Sequence, residues 1–146
     1  MTTTVRYVTP ADEADWRALW KDYLAFYETS RDEDVYAGTW KRILDPDEGM
    51  FSMVAETPGH GIVGIVNFLY HSHFWGPENR IYLNDLYVRP EIRGTGAGKA
   101  MIDAVVAHAK AHDCPQVWWL TAEDNAVARK LYDGVATLAP FVKYQI

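Results

Sequence analysis

The stretch "LYVRPEIRGTGAGKAMIDAVV", Leu86–Val106, decides how the rest of the chain is read. An apolar run ends at Val88. Gly94, Gly96 and Gly98 follow on alternate positions, and Ile102, Val105, Val106 and Ala109 then fall at helical spacing. The pattern is strand, glycine turn, helix. Glycines adopt positive φ and let a backbone approach a ligand with no Cβ in the way. Ahead of a helix they aim free N–H groups and the positive end of the helix dipole at one spot, which favours phosphate. A plain tight connection would fit one glycine; three alternating glycines fit it poorly.

Two familiar phosphate loops fail residue by residue. A nucleotide-triphosphatase loop needs Gly, four residues, then Gly-Lys-Ser/Thr; counting back from Gly98 and Lys99 finds Arg93 at the first glycine, and Ala100 stands where the hydroxyl is required. A dinucleotide fingerprint begun at Gly94 meets Lys99 at its third glycine. It also belongs on the first strand of its domain, not two-thirds of the way along.

Outward toward the C-terminus, the helix is predicted to run to about His112. "VWWL", Val117–Leu120, lies between Pro115 and Thr121 and is predicted as a strand covered on both faces. A helix over Asn125–Asp133 and a terminal strand over Phe141–Ile146 follow. Strand, glycine turn, helix and strand make a parallel βαβ unit.

Outward toward the N-terminus, Ile81–Val88, Gly61–Tyr70 and Met50–Glu56 read as an antiparallel meander. "SRDEDVYAGTWKRILDPDEG" reads as an acidic loop and a short helix ended by the Asp45-Pro46-Asp47 turn. Trp16, Leu19, Trp20, Tyr23, Leu24 and Tyr27 recur at spacings of three and four, the mark of a helix with one buried aromatic face. Pro10 opens that helix, and Val5–Thr9 is a short first strand. The predicted fold is α/β of the mixed, α+β kind: a mostly antiparallel twisted sheet flanked by helices, with a βαβ cofactor-binding half. Residues 1–146 have the size of one domain.

Composition narrows the function. No apolar run approaches the roughly 20 residues of a membrane span, and the N-terminus lacks a signal-peptide pattern, so a cytoplasmic protein with no membrane partner is expected. Twenty acidic against 14 basic side chains give a net charge of −6, which disfavours nucleic acid and suits a cationic substrate. Cys114 is the only cysteine, so there is no internal disulfide, and a buried structural thiol is expected. His71 and His73 alternate on one strand face without a third ligand, so no metal is expected.

With those loops excluded, Arg93-x-x-Gly96-x-Gly98, preceded by "YLNDLYVRPEIRG", resembles the acyl-coenzyme A pyrophosphate loop of the GNAT N-acetyltransferase superfamily. The resemblance covers most of the chain. "YLNDLYV", "WWLTAEDNAVARKLYD" and "APFVKYQI" are most similar to its histone-and-polyamine acetyltransferase branch. The implied cofactor is acetyl-CoA. Its pyrophosphate is implied to sit on the N–H groups of Arg93, Gly94, Thr95, Gly96, Ala97 and Gly98, with the Arg93 and Lys99 side chains adding charge. Leu86, Tyr87 and Val88 are implied to pair with the pantetheine arm, one of their N–H groups polarising the thioester carbonyl.

Asn125 and Tyr132 lie seven residues apart, two helical turns, and so face the same way. The resemblance implies that Tyr132 protonates the departing thiolate; the alternative is a tyrosine packed at a helix end. The general base is open. An alkylammonium must lose a proton before it attacks. Diamine acetyltransferases carry a glutamate where this chain has Asn84, which cannot serve. Asp85 is next, but alternation points it to the other face. Glu123 and Asp124, or a water chain, are further candidates. For the substrate, Asn84, Tyr27 and Glu28, with Asp32, Glu33 and Asp34 nearby, suit a cationic amine through charge and cation–π contact. The expected activity is acetyl transfer from acetyl-CoA to a primary amine, of a polyamine-like molecule or a basic peptide. A non-catalytic acyl-CoA-binding module is the alternative. Exposed aromatic residues and the terminal strand can pair across subunits, so a homodimer is expected.

Overall fold

The computed structural model describes residues 2–146. Strand β1 (Thr4–Tyr7) leads through a 3-10 turn at Pro10–Asp12 into helix α1 (Glu13–Phe26), followed by α2 (Glu33–Leu44). Strands β2 (Met50–Thr57), β3 (Gly61–His71) and β4 (Arg80–Val88) come next. Helix α3 (Ala97–Ala111), strand β5 (Val117–Trp118) and helix α4 (Ala126–Val135) complete the order. The five strands form one sheet in sequence order, antiparallel except for the parallel pair β4–β5. Both the meander and the parallel crossover through α3 are as the sequence predicts.

Apolar side chains on alternate strand positions feed two cores, one on each face. On one face Met53, Val66, Phe68, Ile81 and Leu83 pack against Met101, Ile102 and Val105 of α3. On the other, Val54, Ile62 and Ile65 meet Trp16, Leu19, Trp20 and Leu24 of α1 and Trp40 of α2. Trp16 and Trp20 stack at 5.2 Å, which is why the aromatic stripe of α1 had to be buried. The acidic run before α2 has a local purpose. The Asp32 side chain caps the helix by accepting from the Val35 N–H, and Glu33 pairs with Arg17 at 2.8 Å.

Three local expectations are corrected. "VWWL" is a strand only at Val117–Trp118 and is half-buried, not covered on both faces; Leu120 is exposed. The strand expected at Phe141–Ile146 does not form: Phe141, Val142, Tyr144 and Ile146 are exposed, and the two-residue β5 offers the sheet edge few ladder partners. Alternation along β4 also breaks. The β3–β4 register passes from Asn67↔Asp85 to Phe68↔Leu83, so Asn84 is an extra residue, a β-bulge. Ile81 and Leu83 face α3; beyond the bulge that face is taken by Leu86 and Val88, while Tyr87 joins the α1 core.

Candidate active site

Pairing between β4 and β5 involves only Ile81 with Val117 and Tyr82 with Trp118. Beyond Tyr82, β4 therefore has a strand neighbour only on the β3 side, and at Leu86–Val88 its other edge faces open space. A cavity of about 620 Å³ occupies this space, between the end of α1, the edge of β4, the glycine loop and α4. That is the size of a small-molecule site.

The loop end is built from main chain. Gly94 has φ +83° and Gly96 φ +90°, with nothing near where a Cβ would stand. In that conformation an ordinary residue is strained by about 1–2 kcal/mol. Gly98 is different: its φ is ordinary, and a Cβ there would lie 3.1 Å from the Leu131 methyl of α4. Two glycines thus shape the turn, and the third lets α4 approach. The first α3 bond runs from the Ala100 N–H to the Gly96 carbonyl, which leaves the N–H groups of Ala97, Gly98 and Lys99 without helical acceptors. The Thr95 hydroxyl donates to the Ile92 carbonyl at 2.7 Å and braces the loop without lining the cavity. Arg93 folds back, its Nε donating to the Val88 carbonyl at 3.2 Å and its guanidinium 5.7 Å from the Tyr87 ring centre. Lys99 pairs along the helix with Asp103 at 2.7 Å. Both still border the cavity.

Tyr132 projects from α4 into the same cavity, its ring edge-on to Trp119 at 5.3 Å. Burial, and then the neighbouring Tyr27 phenol, raise its pKa above the usual tyrosine value, so at neutral pH it holds its proton. Asn125 caps α4: its side-chain oxygen accepts from the Ala128 N–H at 3.2 Å, leaving the NH₂ group for other partners. Both residues line the cavity.

The remaining candidates divide. Tyr27 lines the cavity. Glu28, with φ 57° at the end of α1, does not, and neither do Glu123 and Asp124, which are exposed ahead of α4. Asp85 is buried, 9% exposed, just behind the wall. The bulge carries it to the α1 face, where Asn67 Nδ2 donates to one oxygen at 2.9 Å and Asn84 Nδ2 to the other at 2.7 Å. Asn84 is therefore tied to Asp85 rather than pointing away from it, which corrects the simple alternation. Asn67 in turn accepts from the Trp16 indole N–H at 3.2 Å, which also bonds Ser52.

Tyr23 is a cavity residue that the sequence did not single out. It belongs to the α1 stripe read as core, yet the last turn of that stripe, Tyr23 with Phe26 and Tyr27, lines the cavity. Burial, and then the nearby negative charge of Asp85, hold the Tyr23 phenol far above its ordinary pKa. The signal available was position: Tyr23 is one turn before the candidate Tyr27.

The free strand edge, the unfilled N–H groups and the open space over Gly94 and Gly96 fit an extended amide-bearing chain that ends in a diphosphate. Comparison with known proteins agrees. The description of the Acetyltransferase (GNAT) family matches residues 14–134. The chain is 33% identical over 142 residues to D-amino-acid N-acetyltransferase HPA3 of Saccharomyces cerevisiae, covering 97% of this chain and 88% of that protein. Among solved structures, ribosomal-protein-alanine N-acetyltransferase from Brucella melitensis biovar Abortus 2308 superposes with TM-score 0.82 at 23% identity, over 100% of this chain and 99% of that one. AAC(6')-Iy in complex with the bisubstrate analogue CoA-S-monomethyl-acetylneamine does so with TM-score 0.85 at 19% identity, over 100% and 98%. Together with the glycine cradle and the open edge of β4, the match over residues 14–134 means that the chain belongs to the GNAT acetyltransferase family and is an N-acetyltransferase that uses acetyl-CoA.

Proposed function

We propose that this chain, as one domain over residues 1–146, acetylates a primary amine by direct attack within a ternary complex. The acceptor class is a polyamine-like small molecule or the lysine or N-terminal amine of a basic peptide, the range of the histone-and-polyamine branch. The observation that carries this reading is that one cavity joins the N–H cradle, the free edge of β4 and Tyr132 to an aromatic end at Tyr23 and Tyr27. Two sites linked by one opening suit direct transfer better than transfer by way of a protein nucleophile, and Cys114 is buried away from the cavity.

When bound, acetyl-CoA supplies an activated thioester acyl group and a thiol leaving group. The N–H groups from Gly94 to Lys99 would hold its diphosphate, with Arg93 and Lys99 adding charge. Backbone groups of Leu86, Tyr87 and Val88 would align the pantetheine arm, and one fixed N–H there would stabilise charge developing on the carbonyl oxygen. Tyr132 would hold a proton at its phenolic oxygen for the departing sulfur. Glu123 and Asp124 lie outside the cavity. Asp85 is held on both oxygens by amide donors and does not line the cavity, so water is favoured over all three carboxylates as first acceptor of the ammonium proton. The exposed apolar tail Leu138–Ile146 supports a homodimer in which it is covered. A cytoplasmic setting suits the reading.

The test is thiol release from acetyl-CoA against polyamines, aminoglycosides, amino acids and histone-tail peptides. Turnover with at least one amine is expected; acetyl-CoA binding without any turnover would favour a binding module instead.

A further inference from the structure

The chain beyond α4 has nothing in its own fold to cover it. Every residue from Ala136 to Ile146 is exposed, and past Ala136 no backbone hydrogen bond ties this tail to the rest of the chain among the described residues. Its last stretch, "VKYQI", Val142–Ile146, alternates apolar and polar residues. In an extended chain Val142, Tyr144 and Ile146 therefore share one face, with Lys143 and Gln145 on the other. That is the pattern of a strand with one face buried, and an exposed apolar strip of this kind marks an interaction site.

A second copy of the chain offers the matching surface. Among the described residues β5 is the last strand of the sheet, so its outer edge has no partner. The Ile81 N–H takes the Gln116 carbonyl on the inner edge, and alternation turns the N–H groups of Val117 and Trp119 outward. Beside that edge lies a second cavity of about 250 Å³, walled by Ile102, Val106 and Ala109 of α3, by Val117 and Trp119, and by Val135 at the end of α4. It is smaller than the roughly 300–1,000 Å³ of small-molecule sites and suits side chains instead. The tail leaves α4 at Val135 and Ala136, which line this cavity, yet nothing from Thr137 onward enters it. A second copy related by a two-fold axis can bring its tail here and receive the first tail in return. Phe141 falls on the opposite face of the tail, the one that would meet Trp118. Phe141 and Tyr144 alone bury about 150–250 Å² each. Counted over both tails and both receiving surfaces, the exchange reaches the roughly 1,200–2,000 Å² of stable interfaces. Because β5 is short, ladder bonds are few, and this apolar burial is what holds the tail.

We propose that the tail of a second copy adds to the outer edge of β5, fills this second cavity with Val142, Tyr144 and Ile146, and so completes the wall behind Tyr132. Trp119 is the link. It lines the second cavity, and its ring stands edge-on to the Tyr132 ring at 5.3 Å. Tyr132 lines the first cavity, and Trp119 does not. In a single chain the Trp119 ring is only partly buried. The docked tail fixes that ring, and Trp119 is thereby a positioning residue for the proton donor. This inference rests on the proposed role of Tyr132 in acetyl transfer and deepens it: the dimer is the active form, because each copy supplies part of the support for the other's site.

Sedimentation of the full chain, with and without two tail substitutions, tests the docking. Val142 is 79% and Tyr144 92% exposed in a single chain, so Val142→Asp combined with Tyr144→Asp leaves the fold of each copy intact. The wild type should sediment as a dimer, and the double variant should raise the dimer dissociation constant at least a hundredfold. Amide hydrogen exchange locates the contact: Val117 and Trp119 should exchange at least tenfold faster in the variant. In turnover the variant should lose at least tenfold in kcat, with acetyl-CoA affinity within twofold and KM for the amine within threefold of wild type. A wild type that is monomeric at every concentration, a variant that stays dimeric, unchanged exchange at Val117 and Trp119, or a monomeric variant with wild-type kcat would overturn the proposal. A dimer with the expected exchange but no turnover of any amine would support the docking and count against the acetyltransfer reading instead.

Discussion

Asn84 and Asp85, neighbours on β4, are joined side chain to side chain by a 2.7 Å hydrogen bond, which a regular strand would prevent. The bulge that permits it also lets Asn67 reach the second oxygen of Asp85, and Asn67 is in turn held by Trp16 in the α1 core. The floor of the site and the aromatic core are thus one hydrogen-bonded unit.

Asn67→Leu tests that unit. It removes a donor from a buried carboxylate and an acceptor from a buried indole at nearly constant volume. A loss of about 1–3 kcal/mol is expected, read as a lower urea midpoint with an unchanged slope. An unchanged midpoint would show that the network contributes nothing to stability.

The two kinds of glycine should separate in mutagenesis. Gly96→Ala places a Cβ at φ +90° and strains the cradle itself, so the acetyl-CoA dissociation constant should rise at least tenfold. Gly98→Ala meets only the flexible end of Leu131 at 3.1 Å, and the constant should change by less than threefold. Equal effects would contradict the division of roles.

Tyr132→Phe should lower kcat by about 10²-fold or more, the usual range for a lost general acid. Acetyl-CoA affinity, measured by calorimetry, should stay within twofold, because the ring and its contact with Trp119 remain. Turnover equal to wild type would assign the protonation elsewhere.

Away from the site, His108 is 4% exposed and bridges two phenols, with Tyr7 on Nδ1 and Tyr70 on Nε2, and stacks on His112 at 4.0 Å. Burial, and then His112, lower its pKa from 6.5 to about 4. The folded protein therefore resists a proton that the unfolded chain accepts below pH 6.5. The stability from neutral His108 is complete above pH 6.5 and falls as pH drops toward 4, by at most about 3 kcal/mol. Urea titrations at pH 7 and pH 4.5 should show this loss. In His108→Phe the part of it due to this histidine should vanish.

Much of this fold is visible in the sequence because its signals are local and periodic. The aromatic stripe of α1 repeats at helical spacing, the meander alternates, and the glycine turn stands between a strand and a helix that each declare themselves. What escapes depends on partners far along the chain. The bulge at Asn84 is defined only against Phe68 of β3, so alternation alone placed Asp85 on the wrong face. Gly98 looks like a third loop glycine until Leu131 packs on it. Tyr23 shares the periodicity of buried tryptophans, and only the end of the helix decides that it borders a cavity. The tail at Phe141–Ile146 has the composition of a strand, but no strand among the described residues pairs with it.

The central claim is that main-chain N–H groups of the glycine turn and the open edge of β4 receive acetyl-CoA. Backbone amide resonances recorded during a titration with CoA test it directly. The largest shifts are expected at Gly94, Gly96, Ala97, Gly98 and Lys99, with further shifts at Leu86 and Val88, and little change across His71–Asn79. Saturable binding that moves the amides of His71–Asn79 while those of Gly94–Lys99 stay still would contradict it.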